Sequence, residues 1–162
     1  MATTGPGTIY EFRTTFRAPL SFVYDWCTDY TPADPRLEGE AYERRIVSKS
    51  ARRAVYEDLH DQPDGWMWSR MTVQLRPPNR WHAEAVGSHR SWSIDYTLSE
   101  LSGNRTELHF RGLRRPTPLA GKNPPKVRLE RELLASWKNF AHALERDYRA
   151  TERGWKTSKR RK

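Results

Sequence analysis

The stretch that most constrains the fold runs from Asn123 to Glu152, NPPKVRLERELLASWKNFAHALERDYRATE, the one long helical signal in a chain otherwise written in strand alternation. Val127, Leu133, Leu134, Trp137, Phe140, Ala141, Leu144 and Tyr148 fall at the three-and-four spacing of a single buried helix face. Arg128, Arg131, Lys138, Glu145, Arg146 and Arg149 occupy the other side. Asn123 is placed to cap the helix, and the proline after it suits a first turn that needs no donor. A helix of this length, roughly 40 Å at 1.5 Å per residue, cannot bury its apolar face against itself. It requires a broad apolar surface elsewhere in the chain.

The preceding residues supply one. Residues 9–18 alternate, with Tyr10, Phe12, Thr14 and Phe16 on one side and Glu11, Arg13, Thr15 and Arg17 on the other, as in a strand with one wet face. Pro19 then opens a short helix with Leu20, Val23, Trp26 and Cys27 on one face. Thr31, Pro32 and Asp34 mark a second helix start, with Thr31 as a hydroxyl cap, and Gly39 a stop. From residue 41 to 113 the helical period disappears. Turn chemistry at Lys49/Ser50, DQPDG 61–65, PPN 77–79, residues 88–90 and SGN 102–104 divides the segment into six strands near 41–48, 52–60, 66–76, 80–88, 91–100 and 105–113. Short connections imply an antiparallel meander. Met67, Met71, Val73 and Leu75, then Trp81, Ala83 and Ala85, then Trp92, Ile94, Tyr96 and Leu98, then Thr106, Leu108 and Phe110 point to one face. In the 52–60 strand Val55 and Leu59 compete with Ala54 and Tyr56 for that face. Such a sheet needs a cover, and only the terminal helix is long enough.

The order of elements, the segment FRAPLSFVYDWCTDYTPADPRL at 16–37 and the amphipathic terminal helix together resemble the START-like, or SRPBCC, superfamily. This superfamily includes polyketide cyclases, lipid-transfer START domains, coenzyme Q-binding proteins and plant proteins similar to the birch pollen allergen. The resemblance spans residues 9–149 and implies an α+β helix-grip fold: a curved seven-stranded antiparallel sheet wrapped around a long C-terminal helix, with two short helices after strand 1. It also implies a cavity between sheet and helix that takes apolar or aromatic small molecules. The family has no shared catalytic motif to transfer, so the resemblance assigns no catalytic residue. The expected division is a flexible N-terminus at 1–8, the helix-grip domain at 9–152 and a basic, disordered tail at 153–162.

Composition narrows the chemistry. Seven Trp, seven Tyr and five Phe stand in a chain that is only 36% hydrophobic, with a mean hydropathy of -0.95, so a few large rings must do most of the burying. A single Cys27 excludes an internal disulfide. No apolar run approaches membrane length, and MATTGPGT at the start has neither the basic nor the apolar part of a signal peptide, so the chain is read as cytoplasmic. The five histidines show no close metal spacing, and no P-loop, GxGxxG or GxSxG is present. No metal or cofactor is therefore expected.

Two sets of candidate residues follow. Met67, Met71, Trp81, Ala83, Trp92, Tyr96, Phe110, Leu133, Trp137, Phe140 and Leu144 are expected to line a pocket for a hydrophobic small molecule, since flat rings and deformable thioethers suit an adaptable apolar wall. Tyr10, Ser69 and Thr106 are the polar side chains that can reach it, with Tyr56 and Asp58 if their strand turns that face inward. The second set comes from the net charge of +9: residues 111–128 and 146–162 each carry +6, and the remainder sums to -3. Arg114, Arg115, Lys122, Lys126, Lys156, Lys159, Arg160, Arg161 and Lys162 are thus candidate contacts for RNA or another polyanion, with Arg114 and Arg115 placed in a loop. The leading expectation is a non-catalytic binding protein. An RNA- or ribosome-associated protein and a polyketide cyclase- or dehydratase-like enzyme are the alternatives.

Overall fold

The computed structural model describes residues 6–39, 41–63 and 65–152. Strand β1 (Thr8–Phe16) is followed by helices α1 (Leu20–Thr28) and α2 (Asp34–Glu38), strands β2 (Tyr42–Lys49), β3 (Arg53–Gln62), β4 (Gly65–Arg76), β5 (Arg80–Gly87), β6 (Arg90–Leu101) and β7 (Arg105–Pro116), and helix α3 (Lys126–Glu152). The strands form one antiparallel sheet in the order β1-β7-β6-β5-β4-β3-β2. Six successive strands pair as a meander, and β1 closes onto β7 with Thr8 opposite Arg114 and Phe16 opposite Thr106. The concave face grips α3, while α1 and α2 fill the span between β1 and β2. This is the helix-grip architecture that the family resemblance implied.

The core lies where alternation and helical period meet. Tyr10, Phe16, Val73, Trp81, Leu98, Leu108 and Leu144 are almost wholly excluded from solvent. Phe16 meets Trp137 edge-on and Phe12 stacks on Phe110. α1 is pinned to α3 by Trp26, whose Nε1 donates to Asp147 Oδ2 at 3.1 Å and whose ring meets Phe140. Thr106, considered above as a polar cavity residue, instead donates through Oγ1 to the Ala18 carbonyl at 2.8 Å and fastens the end of β1 to β7.

Several local expectations are corrected. α3 begins at Lys126, three residues after the proposed cap. Asn123 is occupied elsewhere: its Oδ1 accepts from Arg114 at 2.5 Å, and its Nδ2 donates to Thr8 Oγ1 and to the Arg114 carbonyl. Val127 is exposed, and Leu129 packs on the core in its place. α2 likewise starts later than Thr31; the Thr31 hydroxyl and backbone N–H both donate to the Asp34 carboxylate. Gly39 ends α2 in the left-handed conformation (φ 78°), as a C-terminal glycine does. Arg114 and Arg115 are strand residues, because β7 continues to Pro116. The two-sided ambiguity of β3 is settled by Arg44. It pairs with Asp58 across β2 and β3 and draws Tyr56 and Asp58 inward, leaving Leu59 on the outer face.

Candidate ligand-binding cavity

A cavity of about 700 Å³ lies between the concave face of the sheet and α3. Its middle is aromatic because β4 to β7 each direct alternate large side chains inward. Trp81 and Tyr96 stack with centroids 4.7 Å apart, Phe110 meets both Tyr96 and Trp92 at steep angles, and Trp137 of α3 closes on Tyr96. Met67 and Met71 of β4 complete this wall. Rings in offset and edge-to-face contact hold one another rigid, whereas thioethers adapt, so the walls combine fixed and deformable surface.

One end of the cavity is a buried polar network. Arg44 and Asp58 are direct partners in the β2–β3 register, so opposite charges face each other across neighbouring strands. The pair is bidentate, with Arg44 Nε and Nη2 donating to Asp58 at 2.8 and 2.9 Å. Nη1 donates to Asp34 at 3.1 Å, Nη2 also reaches the Tyr42 hydroxyl, and the guanidinium lies 4.0 Å from the centre of the Tyr56 ring. The Arg44 side chain is only 7% exposed. Burial alone disfavours its charge, but Tyr56 and the hydrogen-bonded Asp58 outweigh that, and the guanidinium is held above its usual range. The Tyr42 hydroxyl donates to Glu38 at 3.0 Å and its ring stacks on His60. Burial pushes the phenols of Tyr30, Tyr42, Tyr56 and Tyr96 upward, so all four remain protonated donors at neutral pH. His60 moves the other way: burial, followed by the neighbouring Arg90, lowers its pKa and keeps the imidazole neutral.

The other end is cationic. Arg90 and Arg114 line it together with Pro124 and Leu129, and the exposed Arg128 and Glu132 of α3 stand at its rim, joined at 2.9 Å. Arg114 is 6% exposed and lies 5.8 Å from the centre of the Trp92 ring. Desolvation, then Arg90, pushes its pKa down to about 10.

The sequence-derived pocket set largely comes together here: Met67, Met71, Trp81, Trp92, Tyr96, Phe110, Leu133, Trp137 and Phe140 line the cavity. Ala83 and Leu144 are buried in the core beside it, and Ala85 provides the small inward residue on β5. Ser69, Tyr56 and Asp58 reach the cavity, whereas the Tyr10 hydroxyl donates to the Pro124 carbonyl at 2.7 Å. Arg44, Asp34, Glu38, Tyr42, His60 and Arg90 belong to the cavity and were not singled out from sequence. The available signal was the parity of Tyr42 with Arg44, and of Tyr56 with Asp58 and His60, along their strands. Of the basic set, Arg115, Lys122 and Lys126 are exposed around the entry to α3, and Lys126 approaches Glu130. Arg114 faces inward, and Lys156, Lys159, Arg160, Arg161 and Lys162 lie outside the described residues. Among the described residues no group of His, Cys, Asp and Glu is arranged to hold a metal ion, and no helix is long and apolar enough to cross a membrane.

No protein-family model matches the sequence, and no curated protein matches it in sequence. Solved structures do match in shape. The Zhui aromatase/cyclase from Streptomyces sp. R1128 superposes with a TM-score of 0.73 at 17% identity, covering 90% of this chain and 98% of that one. A START superfamily protein from Mycobacterium smegmatis gives 0.64 at 12% identity, with 88% and 98% covered. The di-domain ARO/CYC StfQ from the steffimycin biosynthetic pathway gives 0.64 at 16% identity, with 84% of this chain covered and 44% of that longer protein. At these identities the likeness is one of fold, and the chain has the START-like, SRPBCC-type fold.

Proposed function

We propose that this protein binds a hydrophobic or aromatic small molecule in the cavity between its sheet and α3, without chemical change to the ligand. The observation that carries the reading is an unfilled volume of about 700 Å³ with aromatic and thioether walls in its middle. Small-molecule sites typically enclose roughly 300–1,000 Å³, with apolar walls and a few placed polar groups. A core built only for stability packs with few voids larger than a water molecule. Native mass spectrometry of gently purified protein, with titration of a fluorescent hydrophobic probe, tests this. Saturable one-to-one binding is expected, displaceable by whatever co-purifies; no co-purifying mass and no saturable binding would sink it.

A cyclase- or dehydratase-type activity is supported by one feature, the ionisable groups set into the wall. Neutral His60 has a ring nitrogen that can accept a proton, and the buried Tyr56 phenol, held protonated, can donate a hydrogen bond to a carbonyl oxygen. Incubation with a linear poly-carbonyl compound separates the two readings. An enzyme of this kind yields a product lighter by one water, whereas a carrier returns the compound unchanged.

A further inference from the structure

Every carboxylate that lines the cavity already accepts a hydrogen bond from inside the protein. Asp58 and Asp34 are held by Arg44, Glu38 by the Tyr42 hydroxyl, and Glu132 by Arg128. Arg114 stands in contrast. It is 6% exposed, it lines the cavity, and its Nη1 donates to the neutral Asn123, while no described carboxylate lies within ion-pair distance of it. A second guanidinium, Arg90, lines the same end, where its Nη1 donates to the Met67 thioether at 3.2 Å. Burying a guanidinium beside another cation is costly unless an anion compensates it.

We infer that the ligand is an amphipathic carboxylic acid, bound with its carboxylate against Arg114 at the cationic end of the cavity and its apolar body along the Trp81, Tyr96 and Phe110 wall. The inference rests on the cavity being a ligand site and adds the chemistry and orientation of what it holds. The fork of a guanidinium matches a carboxylate, and pairing in a desolvated site is stronger than on the surface. The opposite end disfavours the reverse orientation, because there Arg44 is already engaged by the carboxylates of both Asp34 and Asp58.

Pyrenebutyric acid and its methyl ester present one ring system with and without the charge, and their fluorescence reports binding to the intact protein directly. The wild-type protein is expected to bind the acid at least about tenfold more tightly than the ester. Arg114→Gln is expected to abolish that preference, so that acid and ester bind alike, and Arg114→Lys to retain part of it. Repetition in high salt separates pairing at a buried site, which persists, from attraction to the +9 chain as a whole, which is screened. Equal binding of acid and ester by the wild-type protein overturns the inference and leaves the cavity reading standing. A preference that survives in Arg114→Gln overturns it too. Saturable binding of neither probe overturns both readings.

Discussion

His82 and His60 carry opposite linkages between protonation and folding. On the outer face of the sheet, His82 Nδ1 lies 2.8 Å from Asp95 and Nε2 lies 2.7 Å from Glu84. Partial burial lowers its pKa, but the two carboxylates outweigh that and the net shift is upward. The folded state then binds more protons than the unfolded one. The stabilisation is complete below the unfolded pKa of about 6.5 and is lost as pH rises through the higher folded value. His60 is shifted downward by burial, then by Arg90, so its contribution is present above about 6.5 and is lost as pH falls through the lower folded value. Replacing His82 by Gln should flatten the loss of stability above neutrality, and replacing His60 by Gln should improve stability on the acid side. Urea midpoints measured across this range check both signs; parallel curves for wild type and variants would refute them. The effect at His82 should be modest, because Glu84 and Asp95 are more than half exposed.

At the scale of elements, the geometry of the cavity depends on how closely β7 approaches β6. Gly112 pairs with Ile94, and a Cβ placed on it would come within 2.8 Å of Trp92 Cζ3 and 3.1 Å of Phe110 Cε1. Gly112→Ala therefore has to displace a ring of the cavity wall. Overpacking of this kind costs about 1–3 kcal/mol. A lowered urea midpoint and an altered near-ultraviolet tryptophan signal are expected, and an unchanged midpoint would show that Trp92 shifts without cost. The strands themselves were legible in sequence because period-two alternation and turn residues are local signals. The start of α3 was not, because Asn123 has two uses: a side chain suited to cap a helix serves equally to tie Arg114 and Thr8 together. Which use prevails depends on the distance between β1 and β7, a tertiary quantity. Val127 keeps the phase of the apolar face but lies in the first turn of α3, where it stands exposed while Leu129 packs on the core.

For the molecule as a whole, occupancy of the cavity should appear as stability. A ligand present at 100 times its Kd adds about 2.7 kcal/mol to the folded state, or roughly 5–10 °C in Tm for a domain of this size. Thermal unfolding with increasing pyrenebutyric acid should show this rise in wild type and a smaller one in Arg114→Gln. Equal rises would place the binding energy away from Arg114. The strands, the terminal helix and the aromatic face between them could be read from the chain, since they follow from which residues are apolar and at what spacing, whereas the curved grip of the sheet came from the family resemblance. The two polar ends could not. Arg44 meets Asp58 only because the β2–β3 register, with its irregularity between Ile46 and Ser48, brings those residues opposite each other. Arg114 reads in sequence as a charged loop residue, and only the extension of β7 to Pro116 turns it inward.

The pairing of β1 with β7 has a consequence for how the chain comes together. Phe16 finds its neighbour in Thr106, and Thr8 in Arg114, whereas β2 to β6 each meet the strand that follows. Hairpins of the meander close short loops and can form early, but β1 must close a loop of most of the chain, at a far greater cost in conformational entropy. During synthesis β1 emerges before its partner and has none until β7 has followed. The aromatic side chains of Tyr10, Phe12 and Phe16 stay uncovered for that interval, making the N-terminal strand the segment most exposed to aggregation and to chaperones.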